Sequence, residues 1–229
     1  MRKRVLVVDV GGNHVKLMLS ASRKRKFKSD RRMNPRRMIE GIKETVDGWK
    51  FDCVSIVFPA PVKNGRISVE PKNLGQGWVG FDFAKALGKP VQLVNDAAMQ
   101  ALGSYRGGRM LFLGLGTGLG SALVWRNNVL PLELGDLPYR DHRVIEDFLG
   151  RRGMDKLGER QWRREVMRTV TQLRKSLIAD YVVLGGGNVK KLDDLPEGVE
   201  RGYNRNAFLG GERLWHSNGR GKSAKWHIM

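Results

Sequence analysis

Glycine-rich turns that could hold phosphate groups occur three times in the sequence, each at the end of a hydrophobic run. The densest lies within 111–124, where glycines alternate with other residues between two apolar segments. Earlier in the chain an apolar run reaches Asp9 and turns through Gly11 and Gly12, and a third cluster occupies 185–187. Glycine lets the backbone turn sharply and bring several N–H groups towards one anion. The pattern predicts phosphate loops, with ordinary tight turns as the alternative.

One carboxylate, Asp96, stands between a predicted strand and a predicted helix. Ligands bind at the carboxyl ends of strands in open α/β sheets. An aspartate there can accept the proton of a hydroxyl group that attacks phosphorus. Phosphoryl transfer otherwise needs positioning and charge neutralisation, which glycine-loop amides, a lysine and Mg²⁺ supply. Asp96 is therefore the candidate general base, and the alternative is a helix N-cap.

The chain is strongly basic, with 42 Lys and Arg against 23 Asp and Glu and a formal charge of +19. Much of this charge lies in two segments, 21–43 and 151–175. Such a field attracts polyanions such as nucleic acid, polyphosphate or phosphorylated small molecules. The alternative is a solvated basic surface with no specific partner, and charge alone does not choose between them.

The remaining composition fits a soluble α/β protein of 229 residues, long enough to bury a core. No apolar run approaches the roughly 18 residues of a membrane span, and the N-terminus does not resemble a signal peptide. The single cysteine, Cys53, excludes an internal disulfide and cannot alone build a zinc site. We therefore expect a cytoplasmic protein without zinc.

Strands and helices alternate along the chain, which predicts an α/β fold with mixed sheets. We expect an N-terminal lobe over 1–106, a C-terminal lobe over 107–218 and a flexible basic tail over 219–229. The predicted strands are 3–9, 14–20, a short one near 26–28, 53–58, 91–94, 110–115, 119–125, 129–132 and 181–184. The predicted helices are 36–47, 81–87, one from 96 to about 105, 141–149, 161–177 and 204–215, the last packing back on the N-terminal lobe.

Several motifs, in this order, resemble those of ROK-family sugar kinases, and in particular the polyphosphate/ATP glucokinase branch. They are Asp9-Val-Gly-Gly12 with Lys16, Asn95-Asp96-Ala97, Leu115-Gly-Thr-Gly-Leu-Gly-Ser121, Glu133-Leu-Gly135 and Leu184-Gly-Gly-Gly-Asn188. The likeness covers nearly all of 4–215. It implies the two-lobed ASKHA (actin/Hsp70/hexokinase-like, RNase H-like) fold, with mixed sheets and a cleft between the lobes.

The resemblance also implies a role for each matching residue. Asp96 would be the general base, and Asp9 would organise Mg²⁺ through water. The sugar would contact Asn73, Asn95, Asp96 and Glu133, with Asp136 beside them. The phosphates or nucleotide would contact Gly11, Gly12, Asn13, Lys16, Gly116, Thr117, Gly118, Gly185, Gly186 and Gly187. For Lys16 the alternative is a solvent-exposed strand residue without a ligand.

Two positions depart from the family pattern. Asp136 stands where the family commonly has histidine, so a second carboxylate lies beside the sugar. Asn13 stands where serine or threonine is usual, which removes a hydroxyl near the phosphates. With a single cysteine the sequence lacks the family's zinc-binding cysteine cluster, and we do not expect the N-terminal DNA-binding extension of the family's repressors.

The function that these observations predict is Mg²⁺-dependent phosphoryl transfer to a hexose hydroxyl, with O6 of glucose as the favoured acceptor. The donor is ATP or inorganic polyphosphate, and the basic segment 21–43 is a candidate track for a long polyanion. One alternative is a degenerate, non-catalytic protein that binds a sugar, a phosphosugar or, less favoured, nucleic acid. Another is a kinase for an amino sugar, whose ammonium Asp136 could pair with. The resemblance further implies a homodimer and no membrane partner.

Overall fold

Two large β-sheets, with helices between them and on their outer faces, form the fold in a computed structural model of the chain. The structure describes residues 3–203, 205–216 and 226–229. The strands are β1 (Val5–Val10), β2 (His14–Met18), β3 (Lys24–Lys28), β4 (Cys53–Phe58), β5 (Val62–Lys63), β6 (Arg66–Ile67), β7 (Val91–Asn95), β8 (Arg109–Leu115), β9 (Leu119–Trp125), β10 (Asn128–Leu132), β11 (Tyr181–Gly185), β12 (Val199–Arg201) and β13 (His227–Ile228). The helices are α1 (Pro35–Thr45), α2 (Phe83–Leu87), α3 (Asp96–Ser104), α4 (Glu146–Leu149), α5 (Arg151–Leu157), α6 (Glu159–Ser176) and α7 (Asn206–Arg213).

The first sheet has the strand order β3-β2-β1-β4-β7. β1, β4 and β7 run parallel, while β2 and β3 fold back antiparallel beside β1. β1 and β4 are apolar over most of their length because both faces of the sheet are covered. One cover is α1, which buries Met38 and Ile42 and begins at Pro35, directly after the capping side chain of Asn34.

The second sheet has the order β12-β11-β8-β9-β10-β13. β8 and β9 form a hairpin around the glycine turn, and β11 runs parallel to β8. The outer face packs against α6, whose Trp162, Val166 and Val170 recur at helical spacing and are fully buried. The second glycine hairpin is thus fixed to a rigid, two-sided scaffold.

Helices α3 and α7 lie together in the layer between the sheets and share a core with both of them. They approach so closely that a Cβ atom at Gly103 or at Gly210 would overlap the backbone of the other helix. α7 is also tied to the first sheet, since the buried Ser55 hydroxyl donates to the Gly211 carbonyl at 2.7 Å. The Trp215 indole N–H in turn donates to the Ser55 oxygen at 2.9 Å.

Two predicted segments differ from the observed fold in the C-terminal half. The prediction of a helix over 141–149 is wrong in its first part, because only Glu146–Leu149 is helical. Asp141 and His142 have φ values of 52° and 55°, in the left-handed region, and a bridge joins Pro138 to Val144. α5, β12 and the short hairpin of β5 and β6 have no predicted counterpart.

The C-terminal residues also differ from the prediction where the structure describes them. The helix predicted over 204–215 is observed as α7, and Asn204 lies outside the described residues. Residues 219–225 of the predicted flexible tail lie outside them as well. The expectation of a loose tail is wrong for 226–229, because β13 pairs with β10 and Trp226 is buried against Tyr105. Across the three described ranges, no helix combines the length and apolar character that crossing a bilayer requires.

Candidate active site

A cleft of about 640 Å³ lies where the glycine turns of the two sheets approach one another. Its walls come from the turn after β1, the end of β7, the turn between β8 and β9, the end of β10 and the start of α4. Ten of the residues predicted from the sequence line it, namely Gly12, Asn73, Asn95, Asp96, Gly116, Thr117, Gly118, Glu133, Asp136 and Gly186. Six others, Asp9, Gly11, Asn13, Lys16, Gly185 and Gly187, are not among its lining residues.

Asp96 is the first residue of α3, at the carboxyl end of β7. The helix cap is its neighbour Asn95, whose side-chain oxygen accepts from the Ala98 N–H at 2.8 Å, so the N-cap alternative for Asp96 is wrong. The Asp96 carboxylate faces the open cleft and accepts from the Ala97 N–H at 2.8 Å. Desolvation by the surrounding protein, followed by repulsion from Asp9, raises the pKa of Asp96.

Asp9 is the partly exposed residue of the otherwise buried β1, and it forms an ion pair with Lys16 of β2 at 3.1 Å. The two residues are direct partners in the strand register, so their side chains lie on the same face of the sheet. Asp9 is three-quarters buried, whereas the Lys16 side chain is 60% exposed. Because the Asp9 carboxylate also raises the pKa of Asp96, it lies within electrostatic range of the cleft.

The turn at Gly116, Thr117 and Gly118 is held by hydrogen bonds on both sides. Inside the turn the Gly116 N–H donates to the Gly118 carbonyl at 3.1 Å. The Arg151 N–H, at the start of α5, donates to the carbonyls of Gly116 and Thr117, and the Asn188 side chain donates to that of Gly116 at 2.9 Å. In the part of the chain that the structure describes, the Thr117 and Gly118 N–H groups have no acceptor. They are donors available to an anion in the cleft.

The third glycine cluster, 185–187, packs against the end of β8, next to the 116–118 turn. Gly186 has φ of 86°, and a Cβ atom there would overlap the backbone of Leu115. Gly185 has little room either, because its Cβ would lie 2.5 Å from the Phe112 ring. Both glycines are therefore required by packing, and of the cluster only Gly186 reaches the cleft wall.

Carboxylates gather at the other end of the cleft, where β10 leads into a short 3₁₀ turn. Glu133 precedes this turn, Leu134–Asp136, and Asp136 is its last residue; the turn is anchored by the Leu134 N–H, which donates to the Ser121 hydroxyl at 3.1 Å. Desolvation, and then repulsion from Asp136, Asp96 and Glu146, raises the pKa of Glu133. The cleft therefore concentrates negative charge at this end.

Glu146 is a member of this group that sequence reasoning missed. It lines the cleft, and its carboxylate accepts from the Leu119 N–H at 3.1 Å, next to the glycine turn. The sequence signal connected with Glu146 is the presence of glycine at positions 118 and 135. A Cβ at Gly118 would overlap the Glu146 carboxylate, and one at Gly135 would crowd its side chain. These two glycines point to Glu146 only once the packing around the turn is known.

Two α/β lobes with related glycine hairpins, and a cleft that holds an acid at a strand end, define the ASKHA class of proteins. Within that class the chain belongs to the ROK family, whose family model matches residues 5–131. The predicted fold class is thereby confirmed.

Curated relatives include the polyphosphate glucokinase of Mycobacterium leprae (strain TN), 24% identical over 216 residues, or 84% of this chain and 66% of the relative. The polyphosphate glucokinase of Mycobacterium tuberculosis (strain ATCC 25618 / H37Rv) is 24% identical over 179 residues, or 69% of this chain and 65% of the relative. The chain thus spans just under two thirds of the length of these relatives.

Solved structures with the same fold include the inorganic polyphosphate/ATP-glucomannokinase of Arthrobacter sp. strain KM, with a TM-score of 0.73, 20% identity and coverage of 91% of this chain and 96% of that one. The ROK glucokinase of Streptomyces griseus, in complex with glucose and AMPPNP, has a TM-score of 0.69 and 16% identity, with 92% and 98% covered. A ROK transcriptional regulator, a homologue of an E. coli protein, also matches, with a TM-score of 0.72, 13% identity and coverage of 92% and 77%.

Proposed function

We propose that the protein is a sugar kinase that transfers a phosphoryl group from polyphosphate or ATP to a hexose hydroxyl, glucose O6 in the first place. The observation that carries the proposal is the position of Asp96, in one cleft with the free N–H groups of the 116–118 turn and with the polar side chains of Asn73, Asn95, Glu133 and Asp136. The names of the relatives, polyphosphate glucokinases and a glucomannokinase, support the same substrates.

Asp96 accepts the proton of the attacking hydroxyl. The sugar oxygen forms a bond to the terminal phosphorus, and the bond from that phosphorus to the bridging oxygen of the donor breaks. A raised pKa makes the Asp96 carboxylate a stronger base than an ordinary aspartate, provided that it is ionised at the working pH. The Ala97 N–H holds the carboxylate in place without neutralising it.

The 116–118 turn binds the transferring phosphoryl group through the N–H groups of Thr117 and Gly118. Gly12 contributes from the opposite lobe and Gly186 borders the far side of the donor. These donors are fixed by the surrounding hydrogen bonds before substrate arrives, so little reorganisation is needed in the transition state. Of the other predicted phosphate contacts, Gly11, Asn13 and Gly185 act by shaping the turns.

The sugar lies against Asn73, Asn95, Glu133 and Asp136, and we add Glu146 to this set. The Asn95 oxygen is already used in capping α3, which leaves its NH₂ group to donate to a sugar oxygen. Glu133, Asp136 and Glu146 are acceptors for hydroxyl groups. Several directional acceptors around one ring select a polyhydroxylated substrate and orient its reactive oxygen towards Asp96.

Mg²⁺ fits this site with the donor as its main source of ligands. The described residues contain no cluster of three or more His, Cys, Asp or Glu side chains able to hold a metal by themselves. Mg²⁺ commonly keeps its waters and binds through one carboxylate together with substrate phosphates. Asp9 is the carboxylate that would hold it, through water, with Lys16 beside it. When bound, the ion neutralises charge on the transferring phosphates.

The test is a coupled assay of sugar phosphate formation, with glucose, mannose and glucosamine as acceptors and ATP or polyphosphate as donors in the presence of Mg²⁺. We expect turnover with a neutral hexose. Turnover only with the amino sugar would instead identify a substrate whose ammonium group pairs with the carboxylates of Glu133 and Asp136. No turnover, together with sugar binding in calorimetry, would favour the non-catalytic binder that Asn13, Asp136 and the likeness to a regulator suggest.

A further inference from the structure

The fold divides the basic segment 21–43 between two faces of the first sheet. Alternation along β3 puts Lys24, Lys26 and Lys28 on one face and Arg25 and Phe27 on the other. On the second face Arg25 donates to the Thr45 carbonyl at 2.6 Å and lies over the Trp49 ring. Only the first face therefore presents free cationic side chains from this strand.

The first face continues across β2 towards the cleft. Lys26 is the register partner of Lys16, and Lys16 is the partner of Asp9, so the three side chains form one row on the same face. With strands about 4.8 Å apart, this row spans about 10 Å from β1 to the sheet edge. We call Lys16, Lys24, Lys26 and Lys28 the lysine face.

Most of the charge on the lysine face is not compensated by the residues that the structure describes. Within residues 3–203, 205–216 and 226–229, Lys24, Lys26 and Lys28 have no carboxylate partner, and Lys16 pairs only with Asp9. All four lysines are exposed. Like charges on neighbouring positions of a sheet repel one another. A polyanion that lies across the face removes this repulsion.

The lysine face begins next to the proposed phosphate site. Lys28 is the register partner of His14, which closes the first glycine turn by accepting from the Gly11 N–H. The following residue, Ser29, donates its N–H to the Asn13 carbonyl at 2.9 Å. Since Gly12 of the same turn lines the cleft, Lys28 is the residue of the lysine face on β3 that lies nearest to this turn along the strand, and Lys26 follows it on the same face.

We propose that the lysine face binds the part of an inorganic polyphosphate chain that extends beyond the transferring phosphates. This inference rests on the proposed kinase function and names its donor. Inorganic polyphosphate needs only cations along its path. Single-stranded nucleic acid is usually bound by basic grooves together with aromatic platforms, and neither β2 nor β3 presents Phe, Tyr or Trp on this face.

The test compares two triple variants that remove the same charge. The first is Lys24→Gln, Lys26→Gln and Lys28→Gln, and the control is Lys43→Gln, Lys50→Gln and Lys89→Gln, whose exposed side chains do not line the cleft. KM is measured from tripolyphosphate to long polyphosphate, and polyphosphate binding is measured separately by calorimetry.

We expect KM of the wild type and of the control to fall as the donor chain lengthens. In the lysine-face variant this dependence disappears, and KM for long polyphosphate rises about tenfold, as three exposed ion pairs of modest strength would give together. The slope of log K for polyphosphate binding against log salt concentration becomes less steep by about 2. Each of the three lost lysine–phosphate contacts contributes about 0.7 to this change.

Equal KM values for long polyphosphate in the two triple variants would overturn the inference. So would a larger loss of affinity for a single-stranded oligonucleotide than for polyphosphate, which would assign the face to nucleic acid. If the wild type transferred phosphate neither from ATP nor from polyphosphate, the kinase proposal would fail, independently of the proposal for the lysine face. Calorimetry with polyphosphate would still decide whether the lysine face binds it.

Discussion

Replacing Asp96 by asparagine separates its proposed chemical role from its structural one. In the wild type the Asp96 carboxylate accepts from the Ala97 N–H at 2.8 Å, and the side-chain oxygen of asparagine can accept the same hydrogen bond. Asn95 remains the cap of α3. The substitution therefore removes a negative charge and a proton acceptor while leaving the local hydrogen bond. Removal of a general base lowers kcat by about 10²- to 10⁴-fold. This corresponds to about 3–5 kcal/mol in the activation barrier.

The same substitution should not weaken the fold at neutral pH. Protein surroundings raise the pKa of Asp96, so its ionised form opposes folding; this effect sets in as the pH rises above the ordinary aspartate pKa of the unfolded chain and reaches its full size above the raised pKa of the folded protein. Asp96→Asn removes the unfavourable charge and its repulsion from Asp9. We expect the Tm of the variant to equal or exceed that of the wild type at pH 7–8, and the difference to vanish at acid pH where Asp96 is protonated in both states.

The assay measures kcat and KM for glucose with ATP and with polyphosphate, together with Tm by calorimetry, across pH 5 to 9. In the wild type kcat should fall as the pH drops below the raised pKa of Asp96, and this acid limb should be lost in the residual activity of Asp96→Asn. The control is Asp82→Asn, which alters the cap of α2 away from the cleft. A folded variant that retained wild-type kcat, with its Tm unchanged, would refute the assignment.

Three further changes test the packing and the acceptor end of the cleft. Ser55→Ala leaves the Gly211 carbonyl and the Trp215 N–H unpaired in a buried place, so urea unfolding should show a loss of about 1–3 kcal/mol. Gly103→Ala forces a methyl group into the backbone of α7 and should cost about 1–3 kcal/mol or more by the same measurement. Asp136→His removes one carboxylate beside Glu133, so kcat/KM for glucosamine relative to glucose should fall by up to about fivefold. An unchanged ratio would contradict a direct contact between Asp136 and the substrate's amino group.

The sequence was sufficient to predict the two glycine hairpins and the helices with strong signals, because local rules determine them. α1 carries its cap, its proline and its apolar spacing within a single segment, and α6 was predicted to within two residues at its start. The cleft position of Asp96 followed from its place at a strand end. The assignment of its neighbours to sugar or phosphate rested on the resemblance and stays a prediction.

What the sequence did not reveal depends on contacts between distant segments. Glu146 enters the cleft because α4 packs against the turn at Gly118, and no local pattern encodes that approach. The left-handed residues Asp141 and His142 interrupt a segment whose composition suits a helix. β13 forms only because β10 offers a free edge, and a two-residue strand has no periodicity to detect.

The protein separates its charges in a way that matches the two substrates of the proposed reaction. Carboxylates surround the acceptor end of the cleft, and desolvation together with mutual repulsion raises the pKa of Glu133 there. The donor side instead opens onto Lys26 and Lys28, which have no carboxylate partners in the described chain. The two regions meet at Asp9, which raises the pKa of Asp96 on one side and pairs with Lys16 of the lysine face on the other. A chain of phosphates is repelled from the carboxylate end and attracted along the lysines, so the charge distribution favours a donor that enters the proposed site from the lysine face, and the N–H groups of the 116–118 turn then hold its terminal phosphate.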